Sequence, residues 1–138
     1  MELEAAIGNT KEGFLVLNVT TDRISARRVR YAMQPVPFFR FRKVAETISE
    51  RDITTPEEKE RVSGALGKML GYLKDAEERY TSRYSSSSGT CWCFIIWAGD
   101  KVYYSSGQNA FPSWWNEACT LILGEQYLFR TCSHNSYS

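Results

Sequence analysis

The sequence predicts an α+β fold: an antiparallel sheet built from hairpins, with two helices packed on one face. Three observations carry this expectation. Apolar, β-branched runs at 14–19 (FLVLNV) and 90–97 (TCWCFIIW) are each followed by a turn and a return segment. A capped amphipathic helix lies between these two hairpins. A second, shorter helix follows the second hairpin behind a corner rich in Gly, Asn and Pro. Hairpins on either side of a helix bury their apolar faces most simply as layers.

The first hairpin pairs residues 14–19 with 24–33 (ISARRVRYAM) through a turn at Thr20, Thr21 and Asp22. Pro35 and Pro37 interrupt the pairing, because proline has no N–H to give to a ladder. Residues 38–44 (FFRFRKV) suit a third strand, or a helix continuing through 45–49. Residues 50–56 (ERDITTP) are a polar turn into the first helix. That helix has the clearest signature. Thr55 is the capping residue, Pro56 sits at the first helical position and Glu58 at the capping-box position. Val62, Ala65, Leu66, Met69, Leu73, Ala76 and Tyr80 then recur at spacings of three and four, as one buried face.

Residues 84–89 (YSSSSG) read as a linker. Residues 90–97 are apolar on both faces, the mark of a central strand. Ala98, Gly99 and Asp100 turn the chain, and 101–105 return. The last helix runs from Pro112 or Ser113 to Leu123, stopped by Gly124. Residues 127–132 suit one more short strand, and the tail to 138 is polar.

Composition narrows the class of function. The length of 138 residues suits a single domain, and a hydrophobic share of 43% excludes a disordered chain. The net charge of +1 gives no long-range steering, so any electrostatic recognition must be local. No apolar run approaches the roughly 18 residues a membrane helix needs. The start, MELEAAIGNTKEG, is acidic and has no apolar h-region. The expectation is a cytoplasmic protein with reduced thiols and no membrane partner.

Catalytic chemistry finds little support. The one histidine, His134, lies in the polar tail, and no Ser or Cys sits in a nucleophile elbow. Glu57–Glu58 and Glu77–Glu78 belong to a solvated helix face. Cys91 and Cys93, two apart on a strand, share a side and could be drawn with Cys119, Cys132 and His134 as a zinc site. A C-x-C inside an apolar strand lacks the usual spacing, and core packing is the simpler account. No metal and no cofactor are expected. Gly64, Gly67 and Gly71 form a stripe on the long helix, either for close packing or for a ligand approaching the backbone.

Two stretches could hold a binding surface. Between Arg23 and Lys43 lie seven basic residues and no acid. Alternation puts Arg28 with Arg30 on one face, and Arg40 with Arg42 on one face if that piece is extended. Tyr31, Phe39 and Phe41 interleave. Arginines beside aromatic rings suit single-stranded nucleic acid; the alternatives are an acidic protein surface or a solvated sheet face. The second stretch is 103–124. Gly107 there suits a positive φ and Asn109 tolerates one. It is either a strand-to-helix corner closed by aromatic packing, or the site where an exposed Trp114 or Trp115 anchors a partner. Neighbouring helix residues point about 100° apart, which puts one of the two tryptophans near the surface.

The segment from Trp92 or Trp97 through Gly107, Asn109, Ala110, Phe111 and Pro112 to Trp114 or Trp115 resembles the C-terminal part of a group of small bacterial proteins. In those a hairpin ends in Gly-x-Asn-Ala-aromatic-Pro before a Trp-bearing helix. The resemblance covers about a quarter of the chain. It implies a bacterial or phage origin and brings no activity. The expectation is therefore a small non-enzymatic binding protein, of accessory or inhibitor type, acting on a protein partner or a nucleic acid. The alternative is a nucleic-acid-binding module using segment 23–43.

Overall fold

The computed structural model describes residues 1–9, 12–34, 40–81 and 90–121, with the backbone alone at 31–34, 40–43 and 119. The elements are β1 (Glu2–Asn9), β2 (Gly13–Val19), β3 (Arg23–Gln34), β4 (Arg40–Asp52), α1 (Pro56–Asp75), β5 (Arg79–Thr81), β6 (Cys91–Ala98), β7 (Lys101–Gln108) and α2 (Trp115–Leu121). Seven strands form one sheet in the order β4-β3-β2-β1-β6-β7-β5. The class is α+β.

The sheet is mixed. β5 runs parallel to β7, pairing Arg79 with Ser106 and Thr81 with Gln108, whereas every other described pairing is antiparallel. An all-hairpin sheet is therefore corrected. The chain reaches this parallel edge because α1 carries it back across the molecule. Ser105 Oγ then donates to Glu77 O at 2.7 Å, and Ser106 N–H to Glu78 O at 2.9 Å, fastening the entry to β5.

The N-terminal strand β1 lies in the middle. Its alternation places Leu3, Ala5 and Ile7 inward and Glu2, Glu4 and Ala6 outward. Leu3 opposes Val19 on one side and Ile96 on the other; Ala5 opposes Leu17 and Phe94; Ile7 opposes Leu15 and Trp92. These rungs, with Ile24 and Ala26 of β3, share one buried cluster with Val62, Leu66, Met69 and Leu73 of α1 and with Trp115 and Ala118 of α2.

α1 starts as its sequence predicts. The Glu58 N–H donates to Thr55 Oγ1 at 3.3 Å, and Pro56 occupies the first turn. The helix ends at Asp75, so Tyr80 belongs to β5 rather than to the helix face. Gly64, Gly67 and Gly71 are exposed, with open space where a Cβ would go. Among the described residues nothing packs on the stripe, and it does not serve close packing against the described sheet.

Residues 40–52 are one long strand. The helical alternative for 45–49 is overturned, and the turn expected over 50–56 begins only after Asp52. The linker at 84–89, the strand at 127–132 and the tail lie outside the described residues.

Candidate functional site

β3 is longer than the sheet it joins. β2 pairs with it only from Ile24 to Val29. Beyond that, β3 is paired with β4 alone among the described strands, and the rungs continue through Tyr31–Lys43 and Ala32–Arg42 to Gln34–Arg40. A two-stranded ribbon thus projects from the sheet.

Its register decides which residues share a face. The rungs Arg28–Glu46, Arg30–Val44, Ala32–Arg42 and Gln34–Arg40 are alternate, so all eight positions lie on one side of the ribbon. That side continues the one bearing Ile24 and Ala26. The rungs Val29–Ala45, Tyr31–Lys43 and Met33–Phe41 occupy the other side. The register thus unites Arg28, Arg30, Arg40 and Arg42, which alternation along each strand could pair only two by two. It separates them from Tyr31 and Phe41. Gln34 and Ala32 join the arginine face, a grouping that becomes visible only once the two strands are aligned.

Other arginines of the segment are engaged in the fold. Arg23 pairs with Glu50 and lies 3.7 Å from Asp52, and Arg27 Nη2 lies 3.5 Å from Glu4 Oε1. Arg28 and Arg30 are exposed and make no ion pair among the described residues. A partner can engage them without competing for an ion pair among the described residues.

Over residues 103–121 the corner is closed by aromatic packing. Gly107 does not adopt a positive φ; it lies within β7, opposite Trp92. A Cβ there would fall 2.6 Å from Ala110 O and closer still to the Trp92 indole. The missing side chain lets the Trp92 Nε1–H donate to Ala110 O at 2.7 Å. Asn109 takes the positive φ, 55°, and its N–H donates to Thr90 O at 2.9 Å. Trp115 is 2% exposed and packs on Trp92, Phe94 and Phe111, with centroids 4.9–5.6 Å apart. It is a core residue and no surface anchor. Trp114 is half-buried and stacks on Tyr72 at 5.6 Å with rings 3° from parallel. Both tryptophans therefore pack with the aromatic core, each of them against Trp92 and Phe94.

No family model, curated protein or solved structure matches the chain.

On the side of the sheet away from the core cluster, a depression of about 400 Å³ is lined by Phe14, Arg79, Cys91, Cys93, Tyr104 and Ser106 among others. Burial pushes both thiols upward, and for Cys93 the charge of Glu4 adds to it. Protonated thiols are poor nucleophiles and poor ligands. Among the described residues no three His, Cys, Asp or Glu side chains gather as a metal site; Cys132 and His134 lie outside them. No described helix is long and apolar enough to cross a membrane.

Proposed function

We propose that the chain is a non-enzymatic binding protein that engages a macromolecular partner through the β3–β4 ribbon. The observation that carries this is the ribbon's register, which gathers the positions of four arginines on one side of a projecting element. In that span Glu46, at its base, is the only acid. Such a local charge is what recognition requires in a chain whose net charge steers nothing. The partner class the ribbon fits is a polyanion, either a nucleic acid or a strongly acidic protein. The reading takes both helices to lie on one side of the sheet, supported by the single cluster that joins them to β1, β2, β3 and β6. It also keeps the soluble, accessory character that the sequence suggests, in a bacterial or phage setting.

The experiment is retention on heparin and on immobilised poly-glutamate, for the natural chain and for Arg28→Glu/Arg30→Glu. The natural chain is expected to bind at least one of the two polymers. The variant should keep its melting temperature, because exposed charges add little to stability, and lose retention. Equal retention by both proteins, or no retention by either, overturns the reading.

A further inference from the structure

We infer that the partner of the β3–β4 ribbon is double-stranded DNA, entered through its major groove by the ribbon's arginine face. The inference rests on the reading of the ribbon as a polyanion-binding element and names the polyanion.

The register carries the choice. Single-stranded nucleic acid is held by bases stacked on aromatic rings while cations beside those rings hold the phosphates. That needs both residue types on one face. In this ribbon the positions of Tyr31 and Phe41 lie on the face opposite Arg28, Arg30, Arg40 and Arg42. Among the described rungs, one side holds the four arginine positions without an aromatic one, and the other holds the positions of Tyr31 and Phe41 with that of Lys43.

A duplex asks for what the arginine face supplies. The B-DNA major groove, about 12 Å wide, admits a two-stranded ribbon. The face runs from Arg28 to the Gln34–Arg40 rung, seven residues of strand and six steps between them, or roughly 20 Å at about 3.3 Å per step. Over that distance a duplex presents on the order of ten phosphates. Arginine serves here both as a phosphate contact and as a bidentate reader of guanine. Between the arginines the same face carries Gln34, a type that reads adenine, and Ala32, a small apolar type that suits a thymine methyl. The A-form RNA duplex is excluded by its deep, narrow major groove, which side chains cannot read.

Arg30 still lies beside Gly13 of β2, but past the Phe14–Val29 rung β3 has no described ladder partner except β4, so the element can enter a groove without dismantling a rung to another described strand. The positions of Tyr31 and Phe41 then lie on the ribbon's other face.

The test is fluorescence anisotropy with a labelled duplex DNA of mixed sequence, each of its single strands, and the matching RNA duplex, over a salt series. The expected result is tightest binding to duplex DNA, with affinity falling steeply as salt rises. Arg28→Glu/Arg30→Glu and Arg40→Glu/Arg42→Glu should each weaken it at least tenfold. The neutral variants Arg28→Gln/Arg30→Gln should flatten the log–log salt slope by about two. Tyr31→Ala/Phe41→Ala, with its fold checked by circular dichroism, should bind duplex DNA within about twofold of the natural chain.

Preference for single strands, lost in Tyr31→Ala/Phe41→Ala, overturns the inference in favour of stacking. Preference for the RNA duplex overturns it also. Binding to poly-glutamate but to no nucleic acid overturns it while leaving the ribbon as a binding element for an acidic protein. No binding to any polyanion overturns both readings together.

Discussion

The indole N–H of Trp92 donates to the carbonyl of Ala110 at 2.7 Å, and it does so across the bare Cα of Gly107. This bond ties a central strand to the corner that launches α2. It explains three residues at once: Trp92 for its donor, Gly107 for the passage, and Asn109 for the positive φ that turns Ala110 toward the ring.

Gly107→Ala is therefore expected to destabilise the fold, although its backbone angle is open to any residue. The added Cβ overlaps the Trp92 ring and the Ala110 carbonyl, both held by the core. Overpacking of this kind costs roughly 1–3 kcal/mol. Trp92→Phe should cost at least about 1 kcal/mol, from the carbonyl left without its donor and the smaller ring. Denaturant melts of the two variants check both figures. A neutral Gly107→Ala would mean that the ring moves freely, and the account of the corner would fail.

Trp115→Ala should cost roughly 3–5 kcal/mol, as truncation of a large buried ring does. Trp114→Ala should cost clearly less, since its ring is only half-buried and stacks on Tyr72 at the core's margin. Neither should alter polyanion binding once folding is restored by low temperature. A Trp115→Ala chain as stable as its parent would contradict the burial seen here.

Gly64→Ala, Gly67→Ala and Gly71→Ala should each stabilise the protein, by about 0.5–1 kcal/mol. Each position is helical and faces open space, so the added methyl meets nothing and only restricts the unfolded chain. Thermal melts should rise stepwise through the triple variant. A fall at any step would show that the stripe is covered in solution.

Stability should decline on the alkaline side in a way that Cys91 and Cys93 share. Both thiols are raised in the folded state by burial, with Glu4 adding to Cys93. Above the ordinary thiol value of about 8.5 the unfolded chain releases these protons first. It then binds fewer protons than the native chain, and unfolding becomes easier as pH rises. The thiols' contribution is fully present below that value and lost as pH climbs through the native one. Chemical melts from pH 7 to 10 should show a shallower decline for Cys91→Ala/Cys93→Ala. An identical slope would show that the thiols are not shifted.

Much of the fold is legible in the residues. The capping set at 55–58 and the spacing of Val62, Leu66, Met69 and Leu73 define α1, and the apolar run at 90–97 announces a central strand. β1 is harder to see. Its alternation of Leu3, Ala5 and Ile7 is present, but alanine and glutamate have little strand preference of their own, and the pattern gains meaning only from Val19 and Ile96 on either side. β5 is three residues long and parallel, a pairing that no local pattern announces. Gly107 shows that glycine serves close approach as well as turning, and the ring that demands it is 15 positions away in the sequence. For the ribbon, residue types were visible along each strand. Their sharing of a face depends on rungs between strands, and the shift from Ala26–Ser49 to Arg27–Thr47, which leaves Ile48 unpaired, resets the phase of β4 against β3 for every rung beyond it.

The central position of β1 has a consequence for synthesis on the ribosome. β1 to β4 form a meander from consecutive segments and can assemble as they emerge. Yet the edge of β1 that faces Cys91–Ala98 stays bare until that later strand is made. An unpaired strand edge beside Leu3, Ala5 and Ile7 invites adhesion to other nascent chains. Fragments ending before Cys91 should therefore accumulate as aggregates, and a circular permutant joining β6 directly ahead of β1 should fold faster by shortening that wait.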